Sequence, residues 1–126
     1  MHRSRLAGFI IDCKTDDLER AAQFWSAALG YELRAKHEEA SPLYRCLQSE
    51  QLGLHIEVQD VKHDSRVHLD IESDDIDAEA QRLEALGARR IEKVHTWIVM
   101  EAPTGQRFCI VRPQNKNFAA TANEWK

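Results

Sequence analysis

The sequence has few cysteines, no long apolar segment and no basic stretch, and each absence excludes a class of protein. Its three cysteines, Cys13, Cys46 and Cys109, are scattered without Cys-x-x-Cys spacing, so we do not expect a disulfide framework. No apolar segment approaches the roughly 20 residues that cross a bilayer, and the start MHRSRLAGFI lacks a signal-peptide cleavage pattern. We therefore expect a cytoplasmic protein with no membrane partner.

The charge balance argues against nucleic acid as a partner. The 126 residues include 21 acidic and 17 basic side chains, for a formal net charge of −4. Basic residues occur only in short pairs such as Arg89-Arg90, and no basic stripe is available to neutralise phosphates. The 43% hydrophobic and 30% charged residues are typical of one ordinary globular domain.

An internal repeat is the clearest organisation in the sequence. Residues 6–30 and 67–87 each read as a strand, an acidic pair, an amphipathic helix and Leu-Gly, and Asp12 precedes Asp70 by 58 positions. Such a repeat predicts two copies of one supersecondary unit. We predict a single domain, residues 1–126, with two modules and a tail. Their approximate bounds are 6–60, 66–113 and 114–126.

Each module is predicted to hold one helix followed by three strands. Asp16 and Asp74 are the expected N-caps, Gly30 and Gly87 the expected ends, and Trp25 is expected to anchor the core. The fold class is therefore α+β, with two βαβββ modules that form curved mixed sheets. The predicted strands after the helices are Tyr31–His37, Leu43–Gln48, Leu54–Gln59, Arg89–Val94, His95–Glu101 and Gln106–Arg112.

Strand alternation separates an apolar face from a polar one. We expect the apolar set, which includes Val67, Leu69 and Ile71, to lie under the helices. The polar set is Asp12, Lys14, His55, Glu57, Gln59, His68, Asp70, Glu72, Arg107 and Cys109. A solvated sheet face shows the same alternation. The mixture of histidines, carboxylates, an arginine and a thiol also suits a metal or a polar organic molecule.

Three segments carry a family resemblance: DDLERAAQFWSAALGYEL, HLDIESDDIDAEAQRLEALGA and APTGQRFCIV. They resemble the two module signatures and the closing turn of the glyoxalase/bleomycin-resistance/dioxygenase (vicinal oxygen chelate) superfamily, within its glyoxalase-like branch. The resemblance implies two βαβββ modules, a sheet-lined cup for a small molecule and a homodimer.

Metal-dependent members of this superfamily place ligands at four strand positions, which correspond here to Ile10, Glu57, His68 and Cys109. Ile10 has no donor atom. The resemblance thus implies a His68, Glu57 and Cys109 set for a divalent metal, with zinc, nickel, manganese or iron as candidates. A single cysteine in a strand is also a common small apolar side chain, so both interpretations of Cys109 stay open.

Two functions follow from the resemblance. One is a lyase or isomerase acting on a small polar metabolite, with His68 and Glu57 as acid and base or as ligands. The other is a protein that sequesters a drug or metabolite unchanged, as bleomycin-resistance-like members do. The predicted ligand-binding residues are Asp12, His55, Asp70, Trp97, Arg107 and Cys109. A purely structural or regulatory module is a third possibility, since a fold does not dictate a function.

Two aromatic features remain open at this stage. Trp97 either stacks on a planar ligand or packs between strands. The tail carries Phe118 and Trp125, and these two aromatic side chains predict that it packs on the body of the protein or on a partner chain.

Overall fold

The computed structural model describes all residues, Met1–Lys126. The chain divides into two compact units. We call Phe9–Val67 the first unit, and Met1–Gly8 together with His68–Lys126 the second unit. The helices and strands, in chain order, are β1 (His2–Lys14), α1 (Leu18–Leu29), β2 (Tyr44–Leu47), β3 (His55–Val61), β4 (Arg66–Ser73), α2 (Ile76–Ala85), β5 (Arg89–Val94), β6 (Trp97–Glu101), β7 (Arg107–Val111), α3 (Phe118–Thr121) and β8 (Asn123–Trp125).

The predicted α+β class and the repeated order of a strand, a helix and further strands are confirmed. In the first unit the strand order is β2-β3-β1, and β2 runs antiparallel to β3. In the second unit the order is β4-β7-β6-β5. There β4 and β7 are parallel, whereas β6 is antiparallel to both β5 and β7. No helix is both long and apolar enough to cross a bilayer.

Both helix starts lie one residue later than predicted. Asp17, not Asp16, caps α1 by accepting a hydrogen bond from the Arg20 backbone N–H at 3.1 Å. Asp75 caps α2 in the same way, since Asp74 accepts from the Arg3 backbone N–H instead. The predicted end of α1 is confirmed. Gly30 follows that helix with φ 78°, a left-handed conformation that glycine adopts without steric cost.

The core of the first unit lies between α1 and its strands. Ile11, Leu47 and Ile56 are its buried members, and Trp25 of α1 packs against them, as predicted. Since Ile56 alternates with His55 and Glu57 along β3, the opposite face of that strand is left to polar side chains.

The core of the second unit forms where α2 packs on β5, β6 and β7. Its buried members are Ala80, Ile98, Met100 and Ile110. One prediction about strand β4 is wrong. Val67 and Leu69 of β4 are 60% and 45% exposed rather than covered by a helix, because α2 lies mainly over the other strands.

The predicted strand Tyr31–His37 is reduced to a single bridge between Leu33 and Leu47. The chain then turns through a 3₁₀ helix at Lys36–Glu38. Past this turn the Glu39 carboxylate accepts a hydrogen bond from the Cys46 backbone N–H. A side chain thereby supplies the acceptor that a neighbouring strand would otherwise provide, and the ladder ends.

The tail packs on its own chain, in agreement with the first of the two alternatives for it. Strand β8 pairs antiparallel with the start of β1, so that His2 lies opposite Trp125. The Trp125 indole N–H donates to Ser4 Oγ at 2.8 Å, and its ring lies 3.8 Å from the Arg82 guanidinium carbon. Phe118 of α3 is buried.

A buried carboxylate, Glu79 of α2, connects these contacts. Arg82 donates two hydrogen bonds to it at 2.9 Å each, Ser4 Oγ donates at 2.7 Å, and His2 Nε2 lies 2.8 Å away. Burial alone raises the pKa of Glu79, but the hydrogen bonds from Arg82, His2 and Ser4 outweigh it and hold that pKa below its ordinary value. The charged form of Glu79 therefore joins α2 to both ends of the chain.

Replacing this carboxylate is expected to destabilise the fold. Glu79→Gln removes the charge that Arg82 and His2 contact, and we expect it to lower the free energy of unfolding by about 2 kcal/mol at neutral pH. A pKa lowered by folding stabilises above the unfolded glutamate pKa, and this stabilisation is lost as the pH falls through the folded value. The difference between wild type and variant should therefore shrink below roughly pH 4. Urea unfolding of both proteins at several pH values measures this difference in the free energy of unfolding.

Glu84→Gln is the matched control on the same helix. Glu84 pairs with Arg90 at 3.0 Å, but both side chains are more than a third exposed. An exposed pair of this kind contributes at most about 1 kcal/mol. An equal loss in the free energy of unfolding of the Glu79→Gln and Glu84→Gln variants would contradict the stabilising role of the buried Glu79 carboxylate.

Candidate functional site

The first unit brings a thiol, an imidazole and a carboxylate together on neighbouring strands. Cys46 of β2 lies directly opposite Glu57 of β3, and His55 lies two residues earlier on the same face of β3. Glu57 Oε1 is 3.4 Å from Cys46 Sγ and 3.4 Å from His55 Nε2. The sulfur and the His55 nitrogen are 4.0 Å apart. We call these three residues the Cys46 cluster.

The Cys46 thiol is protonated in this environment. Burial raises the pKa of the thiol far above its usual range, and the negative charges of Glu57 and Glu39 raise it further. The S–H group donates to Glu57 Oε1. With its proton retained, this cysteine is an inert hydrogen-bond donor rather than a nucleophile.

The second unit repeats the same three residue types. Asp70 of β4 lies opposite Cys109 of β7 in the parallel ladder, and His68 lies two residues before Asp70. His68 Nε2 is 3.4 Å from Asp70 Oδ1, and the two side chains are only 13% and 11% exposed. The ligand atoms of all three residues lie within 4.8 Å of one another. We call these residues the Cys109 cluster.

Trp97 and Arg107 lie on the same strand face as Cys109. Ile98, Met100 and Ile110 of β6 and β7 point into the core, so the alternate residues of both strands point the other way. Arg107 Nε lies 3.5 Å from a Glu101 carboxylate oxygen. The Trp97 ring lies 5.7 Å from the His95 ring, tilted by 53°.

Asp12 lies close to Arg66 and His63 of its own unit. Its carboxylate oxygen Oδ2 lies 3.8 Å from Arg66 Nε and 3.9 Å from His63 Nε2, and the side chain is almost fully buried. A carboxylate placed in this way contributes charge pairing within the first unit. Its predicted role in ligand binding stays a prediction.

The predicted metal set draws on both units. Ile10, at the first of the four positions, is buried and has no donor atom. Glu57 belongs to the Cys46 cluster, whereas His68 and Cys109 belong to the Cys109 cluster. The set His68, Glu57 and Cys109 therefore stays a prediction. Within each cluster the donors are one nitrogen, one oxygen and one sulfur, a combination that suits zinc.

Cys46 is the residue of these clusters that sequence reasoning missed. It lies in the short segment YRCL among mostly buried residues, where a cysteine looks like an ordinary core side chain. The signal that identifies it is the register of β2 on β3, which pairs it with Glu57.

Comparison with family models gives a match over most of the chain. The model of the glyoxalase-like domain matches residues 8–111. A search of curated proteins finds no match.

Several solved structures share the fold. Methylmalonyl-CoA epimerase from Mycobacterium tuberculosis has a TM-score of 0.62 at 18% identity, covering 92% of this chain and 91% of that one. A chain described as NAD-dependent benzaldehyde dehydrogenase from Legionella pneumophila has a TM-score of 0.61 at 13% identity, covering 84% and 99%. A hypothetical protein from Bacillus halodurans C-125 has a TM-score of 0.58 at 16% identity, covering 90% of this chain and 99% of that one. At such identities the likeness shows the fold alone.

The two cluster cysteines are expected to differ in reactivity. Cys46 is buried and its pKa is raised, whereas Cys109 is half-buried. At about pH 8, in chelator-treated protein, we expect iodoacetamide to modify native Cys46 at least about 100-fold more slowly than the denatured chain, because the thiolate is the reacting form. Cys109 should react faster than Cys46. Peptide mass spectrometry over a time course measures both rates, and equal rates would contradict this description of Cys46.

Proposed function

The chain belongs to the glyoxalase-like domain family, and on that basis we propose that it is an isomerase or lyase that moves a proton on a small polar metabolite. The family supports the broader description, a small-molecule enzyme or binding protein. The proposal of proton transfer depends on one observation, the pairing of His68 with Asp70 on a strand face that carries other polar groups.

In this proposal His68 is the base. A carboxylate 3.4 Å from the imidazole fixes the orientation of the ring and stabilises the imidazolium that forms when His68 accepts a proton. Both side chains are mostly buried, which limits competition from water for these contacts. Asp70 is a positioning residue, since it acts through His68.

The neighbouring side chains supply binding groups. Arg107 carries a permanent positive charge that suits a carboxylate or phosphate of the substrate. Trp97 offers an apolar surface on the same strand face. Glu57 stays a prediction as the second proton-transfer group, since it belongs to the first unit and His68 to the second. A homodimer belongs to the same proposal and rests on the family resemblance.

A binding protein without catalysis is the second candidate. The observation that favours it is Ile10, a buried alkyl side chain at a position where metal-dependent members of the superfamily have a ligand. A protein of this kind sequesters the ligand and releases it unchanged. Its binding groups are the same Arg107 and Trp97.

Hydrogen–deuterium exchange into candidate substrates separates the two functions. Methylmalonyl-CoA, the compound bound in one solved epimerase of this fold, is a suitable first probe together with small 2-oxo and 2-hydroxy acids. Incubation in D₂O followed by mass spectrometry detects a C–H bond that the protein has opened. We expect His68→Ala to slow exchange by at least about 100-fold, because general bases contribute roughly that much or more.

Asp70→Asn and His37→Ala complete the experiment. Asp70→Asn should reduce the rate and shift its pH profile, since the carboxylate stabilises the imidazolium. His37 is exposed on the 3₁₀ helix of the first unit, and its replacement should leave the rate unchanged. A bound probe recovered without deuterium from the wild-type protein would favour the binding protein. Exchange that is equally fast in His68→Ala would rule out His68 as the base.

A further inference from the structure

We propose that the Cys46 cluster is a binding site for a zinc-type divalent cation, with Cys46, His55 and Glu57 as its three protein ligands. Only Glu57 is common to this site and to the four strand positions that the family resemblance implies. The proposal does not depend on the proposed enzymatic function, and it concerns the first unit alone.

The distances between the donor atoms are close to those of a tetrahedral site. With zinc bonds of about 2.3 Å to sulfur and 2.0–2.1 Å to nitrogen and oxygen, tetrahedral ligands are about 3.4–3.6 Å apart. In the Cys46 cluster the distances are 3.4, 3.4 and 4.0 Å. Only the distance from sulfur to the His55 nitrogen has to shorten, by a few tenths of an ångström, which a small rotation of the imidazole achieves.

Glu57 differs from the other mostly buried glutamates of the chain in the side chains that contact its carboxylate. Each of the others is paired with an arginine: Glu39 with Arg45, Glu72 with Arg5 and Glu79 with Arg82. Glu57 is 16% exposed, and its side-chain partners are the Cys46 thiol and His55.

A buried carboxylate is costly unless a cation offsets its charge. Here two cations can do so, either a protonated His55 or a metal ion bound between the three side chains. The metal also accounts for the thiol, because coordination removes its proton to solvent and turns Cys46 into a thiolate ligand.

The scaffold holds these ligands and leaves room for a fourth. Cys46 and Glu57 are opposite residues of an antiparallel ladder, so the backbone fixes their separation. Ile56 packs into the core on the other face of β3, which holds His55 and Glu57 in place. Both of those side chains keep some exposure to solvent. A site with three protein ligands and an open position for water or a polar ligand follows from this arrangement.

The Cys109 cluster provides an internal control with the same residue types. There His68 and Asp70 engage in further interactions, whereas the side chains of His55 and Glu57 contact each other and Cys46. Substituting the same residue type in each cluster therefore compares metal binding at the two places in the chain.

Cobalt(II) titration of the chelator-treated full chain tests the site. A tetrahedral cobalt–thiolate site produces intense ligand-field bands and a sulfur-to-cobalt charge-transfer band, and zinc added afterwards should abolish both. We expect one equivalent to bind to wild type and to Cys109→Ser. Cys46→Ser should lose the charge-transfer band, and its affinity should fall at least about 100-fold, since even changes that only support a ligand cost 10- to 100-fold.

Two further variants keep the test decisive if Cys46→Ser fails to fold. Glu57→Gln is nearly isosteric and keeps the thiol, and we expect it to weaken cobalt binding at least about 10-fold. His68→Ala is its counterpart in the second unit and should bind cobalt like wild type. Zinc should also raise the unfolding temperature of wild type more than that of Glu57→Gln, because a ligand stabilises the fold in proportion to how tightly it binds.

Each outcome of the cobalt titration either supports the site or overturns it. Two equivalents of cobalt in wild type, with one lost in each serine variant, would support the site and show that the second cluster binds as well. A wild type without a thiolate band, a Cys46→Ser protein that keeps it, or a loss confined to Cys109→Ser would overturn the proposal. Unchanged affinity in Glu57→Gln would overturn it too, because Glu57 would then not be a ligand.

Discussion

A strand can bury only one of its two faces against a helix, and the positions of the polar groups in this protein follow from that constraint. In the first unit Ile11 and Ile56 take the helix side, and in the second unit Ile98 and Ile110 do the same. The alternate residues are thereby directed to the opposite faces. The register of each ladder then decides which polar residues meet, so that a cysteine faces an acid in both units.

Internal charge pairing is the second constraint. The chain is acidic overall, and three of its arginines are used inside the fold against Glu39, Glu72 and Glu79. The Arg5–Glu72 pair joins segments distant in sequence, and Glu72 also accepts hydrogen bonds from the backbone N–H groups of Gln114 and Asn115 in the tail. Buried carboxylates therefore fix loops and the tail to the sheet, and Glu57 differs because it has no such arginine.

The sequence was informative where a signal is local. The helices, their order and the core position of Trp25 could all be predicted, because helical spacing and Leu-Gly ends lie within a few residues of one another. The exposure of Val67 and Leu69 was not predictable in this way, since it depends on which strands α2 covers.

The candidate site was predictable only in part, for a related reason. His55, Glu57, His68 and Asp70 stand out as polar residues in alternating strands. Cys46 does not, because its partner is set by a register that periodicity leaves undetermined. The shortened pairing at Leu33 is another example, since a carboxylate from further along the chain, Glu39, ends the ladder.

The contacts of Glu79 connect the two ends of the chain, and this determines how the protein opens locally. One carboxylate contacts His2 and Ser4 near the start of the chain, and through Ser4 and Arg82 it is connected to Trp125 near the end. Fraying is usually an independent event at each terminus. Here neither end can detach without breaking contacts of the other, so the two termini behave as one cooperative unit, and a loss of residues from either end loosens both.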